Sequence, residues 1–192
     1  MKLIFASNNP YKIKEIKALA PSGWEILGQQ EAGITMDVEE TGKTLNDNAK
    51  LKAEAIHRIS GAWCFADDTG LEVEALNGAP GVYSARFAGP EKDDAENRRK
   101  LLHDLRGESN RRARFRTVIH LILHNQSHEF EGIVSGHITD EERGTQGFGY
   151  DSIFIPEGHS ATFAEMSMEE KSTMSHRGRA LQKLVRFLDS HE

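Results

Sequence analysis

The chain has 192 residues and a formal charge of −6, from 24 lysines and arginines against 30 aspartates and glutamates. This length suits a single domain over residues 1–192, with or without two lobes, and the acidic balance weighs against a general nucleic-acid binder, which needs a positive footprint. A lone cysteine, Cys64, excludes an intrachain disulfide and sets a reducing compartment, the cytoplasm, as the expectation; no stretch nears the ~20 apolar residues of a membrane span, and Lys2–Ala6 is too short for a signal peptide.

Lys2–Ala6 reads as a strand that runs into the polar turn Ser7-Asn8-Asn9-Pro10. Ile13, Ile16, Leu19 and Ala20 then follow at helical spacing. Trp24–Leu27 is a second strand, and Glu31–Gly42 is irregular and acidic. Thr44 begins a helix with Leu45, Ala49, Ala53, Ile56 and Ile59 on one face, and Asp47 suits its first turn. Trp63–Ala66 is a buried strand leading into Asp67-Asp68-Thr69-Gly70, with a separate strand expected over Leu71–Ala75. Asn77–Gly81 is a loop by its punctuation. A helix follows from Asp93 or Asp94 through Leu105. Arg112–His124 and Glu129–Ile138 read as a hairpin turning at Asn125-Gln126-Ser127. Gly144–Asp151 is a glycine-rich loop before the strand Ile153–Ile155. Ser167 and Glu170 match a capping box, and a last helix carries Leu181, Leu184, Val185 and Leu188. Strands mixed with helices in one continuous chain indicate an α/β class with a mixed sheet.

Five segments carry candidate chemistry. Ser7-Asn8-Asn9-Pro10-Tyr11-Lys12 joins a strand to a helix, where free N–H groups and the helix dipole favour an anion. Lys12 opposes that dipole, which a phosphate between them would explain; a plain capped turn with a solvated lysine is the competing reading. Glu39-Glu40 and Asp67-Asp68 supply hard oxygen ligands of the kind Mg²⁺ takes alongside substrate phosphates. Neighbours in an extended chain point to opposite sides, so one of Asp67 and Asp68 is expected to face the site. Asn48 and Lys52 share a helical face, from which Lys52 could reach a phosphate; a solvated stripe beside the apolar face is the competing reading. In Gly147-Phe148-Gly149-Tyr150-Asp151, glycines let a ligand approach the backbone and Phe148 offers a face for stacking on a base. Glu170–Gly178 brings Lys171, His176 and Arg177 within two helical turns. Other signals read as ordinary structure. Gly42-Lys43-Thr44 lacks the rest of a P-loop, His120, His124 and His128 read as solvated hairpin histidines, Arg112, Arg114 and Arg116 as a polar strand face, and Cys64 as an inert core thiol.

In order and in register, these motifs, together with Gly78–Arg86, resemble the inosine triphosphate pyrophosphatase family, also called Ham1-like, in its bacterial branch. The resemblance covers nearly the whole chain. It implies an elongated mixed β-sheet flanked by helices, with two lobes and a central cleft, commonly as a homodimer. It implies hydrolysis of ITP, dITP and XTP to the monophosphate and pyrophosphate with Mg²⁺, and no nucleic-acid polymer or membrane as partner. Carried over by position, Ser7, Asn8, Asn9, Pro10, Tyr11 and Lys12 would cradle the triphosphate, and Lys52 and Lys171 would add charge. Glu39 (or its neighbour Glu40) and Asp68 would serve the metal, with Asp68 also the base for the attacking water. Thr69 would touch substrate, and Phe148, Gly149, Tyr150, Asp151, His176 and Arg177 would hold the purine. Ser152 departs from the family pattern, which has proline after the Tyr-Asp pair.

Overall fold

The structure, a computed structural model, describes residues 1–20 and 22–190. Its strands are β1 (Lys2–Phe5), β2 (Glu25–Gly28), β3 (Cys64–Val73), β4 (Arg112–Leu123), β5 (Gln126–Ile138) and β6 (Phe154–Pro156). Its α-helices are α1 (Pro10–Ala18), α2 (Leu45–Ser60), α3 (Asp94–Asp104), α4 (Met168–Met174) and α5 (His176–Asp189). The strands form one six-stranded sheet in the order β2-β1-β3-β4-β5-β6. β1 runs parallel to β2 and β3, while β5 and β6 are antiparallel, so the sheet is mixed as the sequence indicates.

The chain divides into two compact units. The first comprises residues 1–68, 117–132 and the segment from Arg177 onward; the second comprises 69–116 and 133–176. In the first unit, strand alternation sorts the core onto the two faces of the sheet. Leu3, Phe5, Phe65, Ile119, Leu121 and Leu123 pack with Ile16 of α1 and Leu181, Leu184 and Leu188 of α5. The intervening residues Ile4, Ala6, Cys64, Ala66 and Ile122 pack with Ala53 and Ile56 of α2. The Phe5 and Phe65 rings stack at 4.9 Å. In the second unit, Leu71, Val73, Phe115, Val134, Ile138, Phe154 and Phe163 enclose a core capped by Leu101 and Leu105 of α3.

Helix starts follow local chemistry. Asn9 caps α1, accepting from the N–H groups of Tyr11 and Lys12, with Pro10 in the first turn. Thr44 with Asp47 and Ser167 with Glu170 form reciprocal capping boxes at α2 and α4.

Several expectations are corrected. No break separates Ala66 from Leu71: β3 runs unbroken from Cys64 to Val73 through Asp67-Asp68-Thr69-Gly70. Asp67, Asp68, Thr69 and Gly70 are strand residues, the two carboxylates held by buried or nearly buried partners. The hairpin turns at His124-Asn125, whose φ angles of 50° and 61° are both positive, as a tight two-residue hairpin turn demands. Ile153 falls in a 3₁₀ turn (Asp151–Ile153) ahead of β6. His120 is not solvated: its side chain is buried on β4, with Nδ1 3.2 Å from Glu129 Oε1.

Candidate active site

In the first unit, two neighbouring strand residues anchor two ion-pair clusters. Asp67 Oδ1 accepts from Lys12 Nζ at 2.9 Å, and its Oδ2 accepts from Arg177 Nε at 3.2 Å. Arg177 Nη1 also donates to Glu15 Oε2 at 2.5 Å. Glu15 lies three residues beyond Lys12 on α1, so one helical turn supplies both the cation on Asp67 and the anion on Arg177. Asp68 Oδ1 lies 3.3 Å from Lys52 Nζ, which donates to Glu40 Oε1 at 2.6 Å. Asp68 Oδ2 accepts from Asn48 Nδ2 at 3.1 Å. The carboxylates of Asp67 and Asp68 are both buried, each with its own cation, so alternation along the strand separates their partners without exposing either one.

The electrostatics differ between the two carboxylates. Burial opposes ionisation of Asp67, but Lys12, Arg177 and Lys52 together outweigh it and hold the carboxyl well below its usual range. Burial dominates at Asp68; Lys52 opposes it, Glu40 reinforces it, and the carboxyl lies above its ordinary value. Asp68 is therefore a stronger proton acceptor than an exposed aspartate. Burial is the largest influence on Lys12 and, with Lys52 and Arg177 nearby, overcomes the pull of Asp67 to lower it. At Lys52 the carboxylates of Asp68 and Glu40 overcome burial and raise it.

The turn Ser7–Lys12 is internally braced. Asn9 N–H donates to Ser7 Oγ at 3.2 Å, and Asn9 Oδ1 takes the N–H groups of Tyr11 and Lys12 at 3.0 and 3.2 Å. Asn8, Pro10 and Tyr11 are exposed. Glu39 is also exposed, and it is Glu40 whose carboxylate shares the Lys52 ammonium with Asp68. Among the described residues no group of three or more His, Cys, Asp or Glu side chains gathers to hold a metal. Two carboxylates drawn to one ammonium do suit Mg²⁺, which binds one or two protein carboxylates and takes its other ligands from water and phosphate.

In the second unit, Asp151 Oδ2 accepts from Lys171 Nζ at 2.7 Å and from the Phe148 N–H at 2.9 Å. The Lys171 ammonium also lies 5.1 Å from the centre of the Phe148 ring, within cation–π range. Gly147 has φ +76°, and a Cβ there would lie 2.1 Å from Asp151 Oδ2, so only glycine permits this turn. Tyr150 is buried, and its hydroxyl donates to the Ser84 carbonyl at 2.8 Å. Gly149 is held at both ends, its N–H by Asp94 and its carbonyl by Arg98 Nη1, each at 2.8 Å. The half-buried Phe148 is thus carried on a braced loop. Thr69 is half-buried on β3, and the buried His176 ring stacks on Phe115 at 4.5 Å.

The structure therefore gathers Lys12, Lys52, Asp68 and Arg177 in the first unit, and Phe148, Asp151 and Lys171 in the second. Asp67, Glu15, Glu40 and Asn48 join the first set. Sequence spacing pointed to Asn48 and Lys52 as a pair, and Glu15 stands one turn from Lys12. Nothing in the spacing marks Ser84, which accepts the Leu71 N–H on its hydroxyl and the Tyr150 hydroxyl on its carbonyl.

A mixed α/β sheet whose buried aspartates pair with lysines, in a chain that also carries a braced aromatic loop, defines a class of α/β proteins equipped for a phosphorylated ligand. The Ham1 family model matches residues 3–187, and the chain belongs to that family. A dITP/XTP pyrophosphatase of Christiangramia forsetii is 51% identical over 188 residues, 98% of this chain and 99% of that protein. One of the same name from Porphyromonas gingivalis is 53% identical over 188 residues, 97% of each chain. The structure of the Staphylococcus aureus Ham1 protein matches with a TM-score of 0.90 at 42% identity, covering all of both chains.

Proposed function

We propose that this protein hydrolyses the non-canonical purine nucleotides ITP, dITP and XTP to the monophosphate and pyrophosphate. The observation that carries this reading is the Glu40–Lys52–Asp68 cluster, in which a buried carboxylate of raised basicity adjoins a lysine and a second carboxylate. Relatives of about 50% identity over nearly the full chain, named dITP/XTP pyrophosphatases, support it.

Asp68 accepts a proton from the water that attacks the α-phosphorus; the α–β bridging oxygen leaves with pyrophosphate. Lys12 and Lys52 offset the charge of the triphosphate and of the leaving group. Asp67, ionised by its own cations, aims the Lys12 ammonium. Mg²⁺, held by Asp68 with Glu39 or Glu40, would supply charge neutralisation at the phosphates. Ser7, Asn8, Asn9, Pro10 and Tyr11 shape the triphosphate end, and Thr69 contacts substrate. Phe148 stacks on the purine, which Gly149, Tyr150, Asp151, His176 and Arg177 hold, and Lys171, with Lys52, adds charge for the triphosphate. Donors that meet a 6-oxo group would face the 6-amino group of ATP, and each buried donor left unpaired costs about 1–3 kcal/mol. The enzyme works as one domain over residues 1–192, as a homodimer, in the cytoplasm.

The test is a panel of ITP, dITP, XTP, ATP and GTP, with and without Mg²⁺, with products identified. ITP and XTP are expected to yield pyrophosphate and not orthophosphate. Asp68→Asn should remove turnover while retaining the fold; a fully active Asp68→Asn variant overturns the role of Asp68.

A further inference from the structure

We propose that Asn48 is a positioning residue whose carboxamide locks the Asp68 carboxylate to the Glu39–Gly42 turn. This rests on the reading of Asp68 as the base. Asn48 lies on α2 with no solvent exposure. Its two ends have separate jobs: Nδ2 donates to Asp68 Oδ2 at 3.1 Å, and Oδ1 accepts the Gly42 N–H at 2.8 Å. The partners fix which end is which, because a carboxylate only accepts and a backbone N–H only donates.

Gly42 shows how closely the turn is drawn in. A Cβ at that position would lie 2.6 Å from Asn48 Oδ1 and 2.6 Å from Asp47 Cβ. Residue 42 has no side chain, and that is what lets the turn reach the carboxamide. Glu40, two residues earlier on the same turn, shares the Lys52 ammonium with Asp68. Asn48 and Lys52, one helical turn apart, therefore tie one strand carboxylate and one turn carboxylate to a single rigid face of α2. The Nδ2 bond takes Oδ2, leaving Oδ1 as the oxygen turned to Lys52. A carboxylate with one oxygen so engaged has its plane fixed, and reaction geometry depends steeply on such placement.

The two ends can be separated experimentally. Asn48→Asp keeps an oxygen for Gly42 and replaces the donor to Asp68; Asn48→Ala removes both. Three readouts are taken: ITP turnover, exchange of the Gly42 amide by NMR on the nucleotide-free protein, and thermal unfolding to establish that each variant folds. Both variants should lose roughly 10- to 100-fold in kcat with KM changed less than about threefold. The Gly42 amide should stay protected in Asn48→Asp and exchange about tenfold faster in Asn48→Ala. Asp68→Ala should move the Asn48 side-chain NH₂ resonances, a check on the other end that needs no turnover. The proposal is overturned if Asn48→Asp keeps its kcat, if KM rises while kcat holds, if Gly42 exchange is the same in all three proteins, or if the NH₂ resonances stay in place. A wild-type protein that releases no pyrophosphate from ITP overturns the functional reading instead, and the two NMR measurements then decide the Asn48 geometry by themselves.

Discussion

Arg177 offers the sharpest test of how the first unit holds its charges. Its guanidinium is 3% exposed and bonded to Asp67, 1% exposed, and to Glu15, 14% exposed. Arg177→Met keeps most of the apolar length and removes the cation. The buried Asp67 carboxylate then keeps its bond to Lys12, and the half-buried Glu15 loses its bond to the guanidinium. Cutting one partner from a buried pair costs about 3–5 kcal/mol, chiefly because the remaining charge stays buried without compensation. For a domain of this size each kcal/mol moves the melting midpoint by about 2–4 °C. Thermal unfolding at neutral pH should therefore fall by roughly 6–20 °C. Adding Glu15→Gln, which removes the other carboxylate bonded to the guanidinium, should restore part of the loss, and this non-additivity is the signature of contact.

The loss should also depend on pH. In the folded protein the Asp67 carboxyl is depressed below its ordinary 3.8: burial opposes this, and Lys12, Arg177 and Lys52 outweigh burial. A carboxyl depressed by folding contributes its full stability above the unfolded value and loses it as pH falls from there toward the folded value. Removing Arg177 weakens the depression, so the gap between wild type and variant should be widest above about pH 4 and narrow below it. A midpoint within about 2 °C of wild type at pH 7, or a gap that widens on acidification, would refute the account of Arg177 as the counter-charge of Asp67 and Glu15.

Lys171→Met leaves Asp151, 5% exposed, without its ammonium; stability should fall by about 3–5 kcal/mol, read by denaturant unfolding, and the Phe148 loop should become more susceptible to proteolysis. Gly147→Ala places a methyl 2.1 Å from Asp151 Oδ2 at φ +76°, so KM for ITP should rise by about tenfold or more with a smaller change in kcat; an unchanged KM would separate the loop from the base. Cys64 is buried with its thiol pushed up to about 12, burial being the main cause; a thiol reagent at pH 8 should leave the native protein unlabelled and react fully once it is unfolded.

Much of the fold is legible in the sequence because its signals are local. The caps at Asn9, Thr44 and Ser167 satisfy helix N–H groups within three residues of themselves, so the residue types announce the helix starts. The alternation that sends Leu3 and Phe5 to one face and Ile4 to the other is equally local. The readings that changed share another property. β3 continues through Asp67–Gly70 because Lys12, Arg177, Lys52 and Asn48, distant in sequence, satisfy carboxylates that would otherwise not tolerate burial. His120 is buried for a like reason, with Glu129 on the neighbouring strand as its partner.

The same distinction separates Asp67 from Asp68. Strand geometry alone argues that two adjacent aspartates face opposite ways and that only one serves a site. Both are buried, and what separates them is the chemistry of their partners. Asp67 meets two cations and is held as a permanent anion, suited to fixing Lys12 and unsuited to taking a proton at neutral pH. Asp68 shares its one lysine with Glu40 and takes its other bond from a neutral amide, which leaves it poised to accept a proton. An Asp-Asp pair on a buried strand thus divides into a scaffold and a base according to how many positive charges each receives. A cation at position 48, as in Asn48→Lys, should give Asp68 the surroundings of Asp67 and lower turnover beyond the loss in Asn48→Ala by removing its basicity; turnover equal to that of Asn48→Ala would refute the division.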